Sequence, residues 1–435
     1  MTVSNKTLIF IFFLALIIRI PIIIVSGDRT LENEFYVLVH NMLSDHGYSF
    51  FSVDKSGEIV QHIVRDPKAS LPTATIPPVY PLFLVGMCSV FGTGLEAIIL
   101  IKIIQALIGA MCCIVLYWIV ALKFNERLAF ASALLFCFYP ILVYLCGQIS
   151  AANVYVFINL VLLLLLFKGE ETGKVRWFFL AGLAFGLLLL SRAEVILFAP
   201  FILLWICLVI RTRRAKMISA FAVAAIIVWS PWGFRNYKRF DAFVPLTTQG
   251  GFNLWQGQNL QATGTRSQYT DPPFQISLKK NLEILSLQPS MTYELELDRI
   301  YMNEALAFMK NHPTKVLKLA LRKFIFYWGY YWGIKFTYPG ARAVAYWLPW
   351  FILLPFFIIG LIHSIRDVRK YCLFHLYFIL STLIAMVFFV IPRYRLFMLP
   401  LVFPFAVKGF FDFFTYCARS FLPTYTNRRP VHHQY

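Results

Sequence analysis

Apolar runs of about twenty residues recur from one end of this sequence to the other, and no other feature narrows the possible folds so sharply. A bilayer core is crossed by a helix of about 17–25 apolar residues. In that layer the backbone must satisfy its own hydrogen bonds, which leaves helices and closed barrels. Hydrophobic residues make up 59% of the 435 and charged residues 14%, well below the roughly 25% charge of a soluble domain. The chain reads as an all-α polytopic membrane protein.

Charge fixes the expected topology. The net charge of +19 is unevenly spread. The short links and ends at 1–6, 122–127, 168–176, 211–216, 366–370 and 416–435 hold 16 Lys/Arg against 4 Asp/Glu, whereas 27–78 holds 4 against 7 and 235–313 holds 8 against 7. Basic links face the cytoplasm, so the positive charge reports orientation and no nucleic-acid partner is expected. Ten spans follow, at 8–26, 97–121, 128–146, 150–167, 177–191, 193–210, 217–234, 341–365, 371–391 and 396–415. Thr7–Ser26 has only Lys6 before it and no Ala-x-Ala cleavage site, so a retained first span is expected. Residues 1–415 form one membrane domain with outer loops 27–96 and 235–340, and 416–435 is a basic cytoplasmic tail.

Two apolar segments are set aside as interfacial. Residues 79–93 are short for a span, and counting them would put Lys123 and Arg127 on the wrong side. In 315–335, Lys315, Lys318 and Arg322 oppose Leu317, Leu321 and Phe324, the pattern of a helix lying in the headgroup layer. Thr292–Lys310 reads as an amphipathic helix packed on the membrane domain. The eight cysteines lie in or beside apolar runs, so neither a disulfide framework nor a Cys-based metal site is expected, and no cofactor is.

Four clusters near the outer ends of spans carry the candidate chemistry. After the first span, Asp28, Glu32 and Glu34 place three carboxylates close together. If a helix runs from Glu32 to His40, Glu32 and Tyr36 share a face at i, i+4. A carboxylate partly desolvated there has the makings of a general base; the plainer account is three charges stabilising a helix N-terminus. Ile76-Pro77-Pro78-Val79-Tyr80-Pro81 holds the chain extended and seats the following half-helix. Ser191-Arg192-Ala193-Glu194 occupies the outer turn between two short spans, as an ion pair or as an anion ligand tuned by that pair. Arg235 and Asn236 after Pro231-Trp232, and Arg393 and Arg395 in Pro392-Arg393-Tyr394-Arg395, add arginines suited either to phosphate or to snorkelling. Walker A, Gly-rich nucleotide and His-Glu-x-x-His patterns are absent, so any activated donor must arrive in the membrane.

In order along the chain, Glu32-x-x-x-Tyr36, Asn41-Met42-Leu43, Gly47-Tyr48-Ser49, Pro77-Pro78-Val79-Tyr80-Pro81, Leu190-Ser191-Arg192, Pro231-Trp232, Arg235-Asn236-Tyr237, Gly250-Gly251, Asn253-Leu254-Trp255 and Arg393-Tyr394-Arg395 resemble the GT-C superfamily of membrane glycosyltransferases. The likeness is to bacterial relatives of protein O-mannosyltransferases and of the aminoarabinose transferase. It implies inverting transfer of a sugar from a polyprenyl-phosphate carrier to an outward-facing lipid, glycan or protein acceptor, in a prokaryotic inner membrane. It implies Glu32 as base, where the family usually has Asp, with Tyr36, Tyr80, Arg192, Glu194, Arg235, Asn236, Arg393 and Arg395 around the donor. Ile76 stands where relatives carry Arg, and Ser150-Ala151-Ala152-Asn153 lacks an acid that many have. These departures keep Glu34 and Asp28 as alternative bases. The rival readings are a flippase for lipid-linked glycans and an inactive relative that only binds lipid phosphate. A transporter should carry charge near the midplane, where Lys102 is a rare example.

Overall fold

Apolar side chains coat the outside of the helices as well as their packed faces, as helices built for lipid require. The computed structural model describes residues 5–31, 35–53, 59–60, 70–266, 275–329 and 341–421. In α1 (Asn5–Val25) the buried side chains Ile11, Ala15, Arg19 and Ile23 recur every fourth residue, while Phe13, Ile17, Ile20 and Ile24 are exposed. Arg19 is accommodated on the inner face, where its Nη1 donates to the Ala15 carbonyl at 2.8 Å.

Beyond α1, α2 (Tyr36–Leu43) starts at Tyr36. Of the helix expected from Glu32 to His40, the part from Tyr36 is described, and Glu32, Asn33 and Glu34 lie outside the described residues. Next comes a small sheet that the all-α expectation omits: β1 (Ser49–Val53), β2 (Ile59–Val60) and β3 (Ser70–Pro72), antiparallel in the order β2-β1-β3. Phe51 faces Leu71 and Ser52 faces Val60. Aromatic and β-branched residues in Ser49–Val53 favour this pairing, and Asn41 Nδ2 donates to the Ser49 carbonyl at 3.0 Å. The Pro77-Pro78 pair opens α3 (Val79–Phe91) as expected; at 1.5 Å per residue this helix falls short of a bilayer core.

The bundle continues with α4 (Leu95–Lys123) and α5 (Glu126–Phe138), the latter capped by Asn125 Oδ1, which accepts the Leu128 N–H at 2.9 Å. The expected continuous span 128–146 is broken. Pro140 leads α6 (Pro140–Tyr144), and the helical pair bends by 57°. Proline offers no N–H to the preceding turn and drives Tyr139 into extended backbone. Then follow α7 (Ala152–Thr172), the short α8 (Val175–Leu189), a 3-10 turn at Ala193–Phe198, α9 (Ala199–Val209) and α10 (Arg214–Phe240).

The second long segment builds α11 (Gly250–Gly257), α12 (Leu278–Leu285), α13 (Tyr293–Asn311) and α14 (Pro313–Trp328). The expected amphipathic helix is α13, which buries Ile300, Ala305 and Phe308. On α14, Leu317, Leu321, Phe324 and Ile325 are exposed and Leu319, Lys323, Phe326 and Tyr327 buried, as for a helix with one face on lipid. Last come α15 (Ala341–Ser364), α16 (Val368–Val387) and α17 (Leu399–Phe421). Contacts between Phe357 and Phe378 (rings 5.1 Å apart) and between Ser364 Oγ and His375 Nε2 (2.8 Å) fold α15 and α16 against each other.

Helix occupies each of the ten segments expected to cross the membrane. Among the described residues six helical stretches are long and apolar enough to span, or seven with the bent pair, and α8 and the 193–209 segment are shorter apolar helices. The two long segments meet at one end of the bundle. There Arg235 Nη1 and Nη2 donate to the carbonyls of Thr73 (2.7 Å) and Tyr48 (2.9 Å).

Candidate active site

Where the two long segments meet, the bundle holds two adjoining cavities. One, of about 330 Å³, is an apolar groove lined by Leu197, Phe198, Leu246, Tyr327, Ile384 and Phe388 among others. The other, of about 430 Å³, is a polar chamber whose walls include Thr75, Tyr80, Ser150, Gln249, Arg266 and Arg393. Arg192, Ala193, Glu194, Thr247, Asn253 and Tyr394 line both, so they form the threshold between them.

Arg192 is held at that threshold on three sides. Its Nε donates to Glu194 Oε1 at 2.7 Å and Nη2 donates to the same oxygen. The guanidinium lies 4.6 Å from the Tyr155 ring centroid and 5.6 Å from those of Tyr394 and Phe397. The 3-10 turn at 193–198 brings Glu194 back onto the arginine two residues before it. Glu194 engages two of five guanidinium N–H donors, leaving others for an anion. Arg393 joins Arg192 in the chamber wall, and so does Arg266, which the sequence reading did not single out.

Other expected site residues do different work. Arg235 spends its donors on Thr73, Tyr48 and the Asn236 side chain (2.9 Å) and stacks 5.0 Å from the Trp232 ring. It clamps the first long segment to α10 and does not line either cavity. Asn236 is buried and donates to the Val244 carbonyl at 3.1 Å. Arg395 points away beneath α14, where Nη2 donates to the Phe326 carbonyl at 3.2 Å and the guanidinium lies 4.3 Å from the Trp350 ring. Tyr80 reaches the chamber wall with its hydroxyl donating to Gln105 Oε1 at 2.8 Å. Tyr36 packs against His40 one turn on, with ring centroids 4.6 Å apart and planes tilted by 58°.

Of the three candidate bases, Asp28 is described. Gly27, at φ +94, lets the chain pass against Gly147: a Cβ there would lie 1.8 Å from the Gly147 carbonyl oxygen. The Asp28 amide donates to that carbonyl at 3.0 Å and its Oδ2 accepts the Ile149 N–H at 2.7 Å. Asp28 is thus an anchor between the first loop and the 145–149 turn. Glu32 and Glu34 lie outside the described residues, between buried Leu31 and Phe35; Phe35 lines the chamber.

Two further acids missed in the sequence fix the chamber walls. Glu294 of α13 is 5% exposed. It accepts from Ala74 N (3.0 Å), Thr75 Oγ1 (2.9 Å) and Thr248 Oγ1 (2.7 Å), and so ties the first segment to the second. Burial pushes its carboxyl up from the ordinary value, against the pull of those hydrogen bonds. Asp298, one turn on, is likewise raised by burial; its Oδ1 accepts the Phe252 N–H at 3.0 Å and so caps α11. Gly251 permits that approach, since a Cβ there would lie 2.1 Å from the Asp298 carbonyl oxygen. Nothing local marks Glu294 among its acidic neighbours, because its partners are more than two hundred positions away for Ala74 and Thr75. Among the described residues no group of three His, Cys, Asp or Glu is placed to hold a metal ion.

Residues 75–234 match the family described as dolichyl-phosphate-mannose-protein mannosyltransferase. The architecture matches the archaeal oligosaccharyltransferase AglB of Archaeoglobus fulgidus, solved with an inhibitory peptide and a dolichol-phosphate, with a TM-score of 0.56 and 13% identity over 98% of this chain and 52% of that one. The chain has the GT-C fold. The same archaeal enzyme tethered to an acceptor peptide gives a TM-score of 0.55 at 12% identity, covering 96% of this chain and 51% of that one. ArnT from Cupriavidus metallidurans bound to undecaprenyl phosphate gives 0.44 at 12% identity, covering 94% and 77%. No curated protein sequence matches the chain. It spans about half the length of the oligosaccharyltransferases it matches. The resemblance to the GT-C superfamily drawn from the sequence is borne out, and the apolar helices are those of a multi-pass membrane protein.

Proposed function

We propose that this GT-C protein transfers a sugar from a polyprenyl-phosphate carrier to an acceptor hydroxyl. The observation that carries this reading is the junction of an apolar groove with a polar chamber at Arg192. A lipid-phosphate sugar has an apolar tail, one anionic joint and a polar head. The groove takes the tail, Arg192 and Arg393 take the phosphate, and the chamber takes the sugar. The archaeal relative solved with dolichol-phosphate supports a carrier of that class.

In the proposed mechanism the Glu32 carboxylate removes the acceptor hydroxyl proton as that oxygen attacks the anomeric carbon. The bond from that carbon to the phosphate oxygen breaks with inversion, and the carrier leaves as a phosphate monoester. Its extra negative charge develops beside Arg192 and Arg393, where fixed cations stabilise the transition state more than the ground state. Glu194 holds the Arg192 fork in place throughout.

The chain crosses the membrane ten times in this reading, as one domain over 1–415 with the basic tail 416–435 in the cytoplasm. The site then faces outward from a prokaryotic inner membrane, towards a lipid, glycan or protein acceptor. Titrating the purified protein with polyprenyl phosphate tests the donor site. Micromolar binding that weakens about 100-fold in Arg192→Met, in line with loss of a charged phosphate contact, supports it. Equal binding by both proteins refutes it.

A further inference from the structure

Charge and burial account for the threshold arginine, but not for the polar side chains across from it. Asn253 stands at the threshold itself, and Gln249, just before α11, lines the chamber only. Neither side-chain amide has a hydrogen-bond partner among the described residues, whereas the neighbouring Gln256, Gln258 and Asn259 are all engaged. The helix that carries Asn253 is rigidly set: Asp298 caps it, Gly251 lies against α13, and Leu254 and Trp255 are buried on that same face with Ala305 of α13. An unspent amide on a fixed element is suited to reading hydroxyl groups, since it offers two donors and an acceptor.

We propose that Asn253 and Gln249 are the residues that select the donor sugar, and that Asn253 reads the hydroxyl next to the anomeric carbon. This rests on the transferase reading above. With the phosphate at Arg192, the first sugar carbons stand at the threshold, within reach of Asn253. Positions farther round the ring fall deeper in the chamber, beside Gln249. The pair is neutral, so it accepts a hydroxylated sugar without demanding a charged one. A hydrogen bond to that first hydroxyl also strengthens as the anomeric carbon becomes cationic in glycosyl transfer, which makes Asn253 a rate determinant as well as a filter.

The test uses full-length protein in detergent. Binding is measured for bare polyprenyl phosphate and for a panel of polyprenyl-phosphate-linked hexoses and pentoses, and the best of these is compared with its 2-deoxy counterpart. The wild type should prefer the hydroxylated donor to the 2-deoxy donor by about tenfold, the yield of one neutral hydrogen bond. Asn253→Ala should bind both alike while holding bare carrier as the wild type does. Gln249→Ala should weaken both sugar-bearing donors and keep the tenfold preference. The assignment is overturned if Asn253→Ala keeps the preference, or if it loses bare carrier in step with the sugar-bearing donors. It is also overturned if no sugar-bearing carrier binds the wild type better than bare carrier. A wild type that binds no carrier at all overturns the transferase reading itself, and this assignment with it.

Discussion

Arg192 and Glu194 form a fork at the mouth of the chamber, with Nε and Nη2 of the guanidinium donating to one carboxylate oxygen and the Tyr155 ring stacked 4.6 Å away. A lysine at 192 keeps the charge but neither the fork nor the flat face for Tyr155. Arg192→Lys should therefore lower sugar transfer about 100-fold, the usual loss for one transition-state donor, with little change in melting temperature. Transfer within threefold of the wild type would show that charge alone suffices there.

Arg235 was a candidate phosphate ligand by sequence, and the structure gives it two backbone carbonyls instead. Removing the fork leaves the Thr73 and Tyr48 carbonyls short of a donor, which costs about 2 kcal/mol. Arg235→Lys should lower thermal stability accordingly, while carrier affinity stays within twofold. A large loss of affinity at unchanged stability would return Arg235 to the donor site.

The order of the apolar helices was legible in the sequence because a bilayer core selects for long apolar runs. The Pro77-Pro78 break was legible too, since proline acts on its immediate neighbours. Arg192 and Glu194 are two residues apart, so their pairing needed no tertiary knowledge. What stayed hidden depends on distant contacts. Arg235 meets Tyr48 and Thr73 across more than 160 positions, and Glu294 meets Ala74 across 220. Arg266, Gln249 and Asn253 reach the chamber through the placement of the second segment, which no local periodicity encodes. The bend at Pro140 is local, but the hydrophobicity of 128–146 runs on through it and only the proline marks the break.

Glu294 makes stability depend on pH in a defined direction. Burial raises its carboxyl above the ordinary value of 4.5, so just above that pH the folded protein holds a proton that the unfolded chain has released. The contribution of Glu294 to stability is then fully present below 4.5 and is lost as pH rises through the raised value. Glu294→Gln should flatten that decline while keeping an oxygen for Thr75. Melting curves taken at intervals from pH 4 upward check this, and parallel slopes in variant and wild type would contradict it.

Transfer of a sugar with a first-loop carboxylate as base is read out by following a label. Purified protein is incubated with radiolabelled polyprenyl-phosphate sugars and membrane acceptors, beside Glu32→Gln and Asp28→Asn. Label should leave the carrier and appear on an acceptor. Glu32→Gln should reduce this at least 100-fold, a general base contributing about 10²–10⁴, and Asp28→Asn, which alters a loop anchor, should keep transfer within about tenfold. Full transfer by Glu32→Gln, or no transfer from any donor by the wild type, would contradict it.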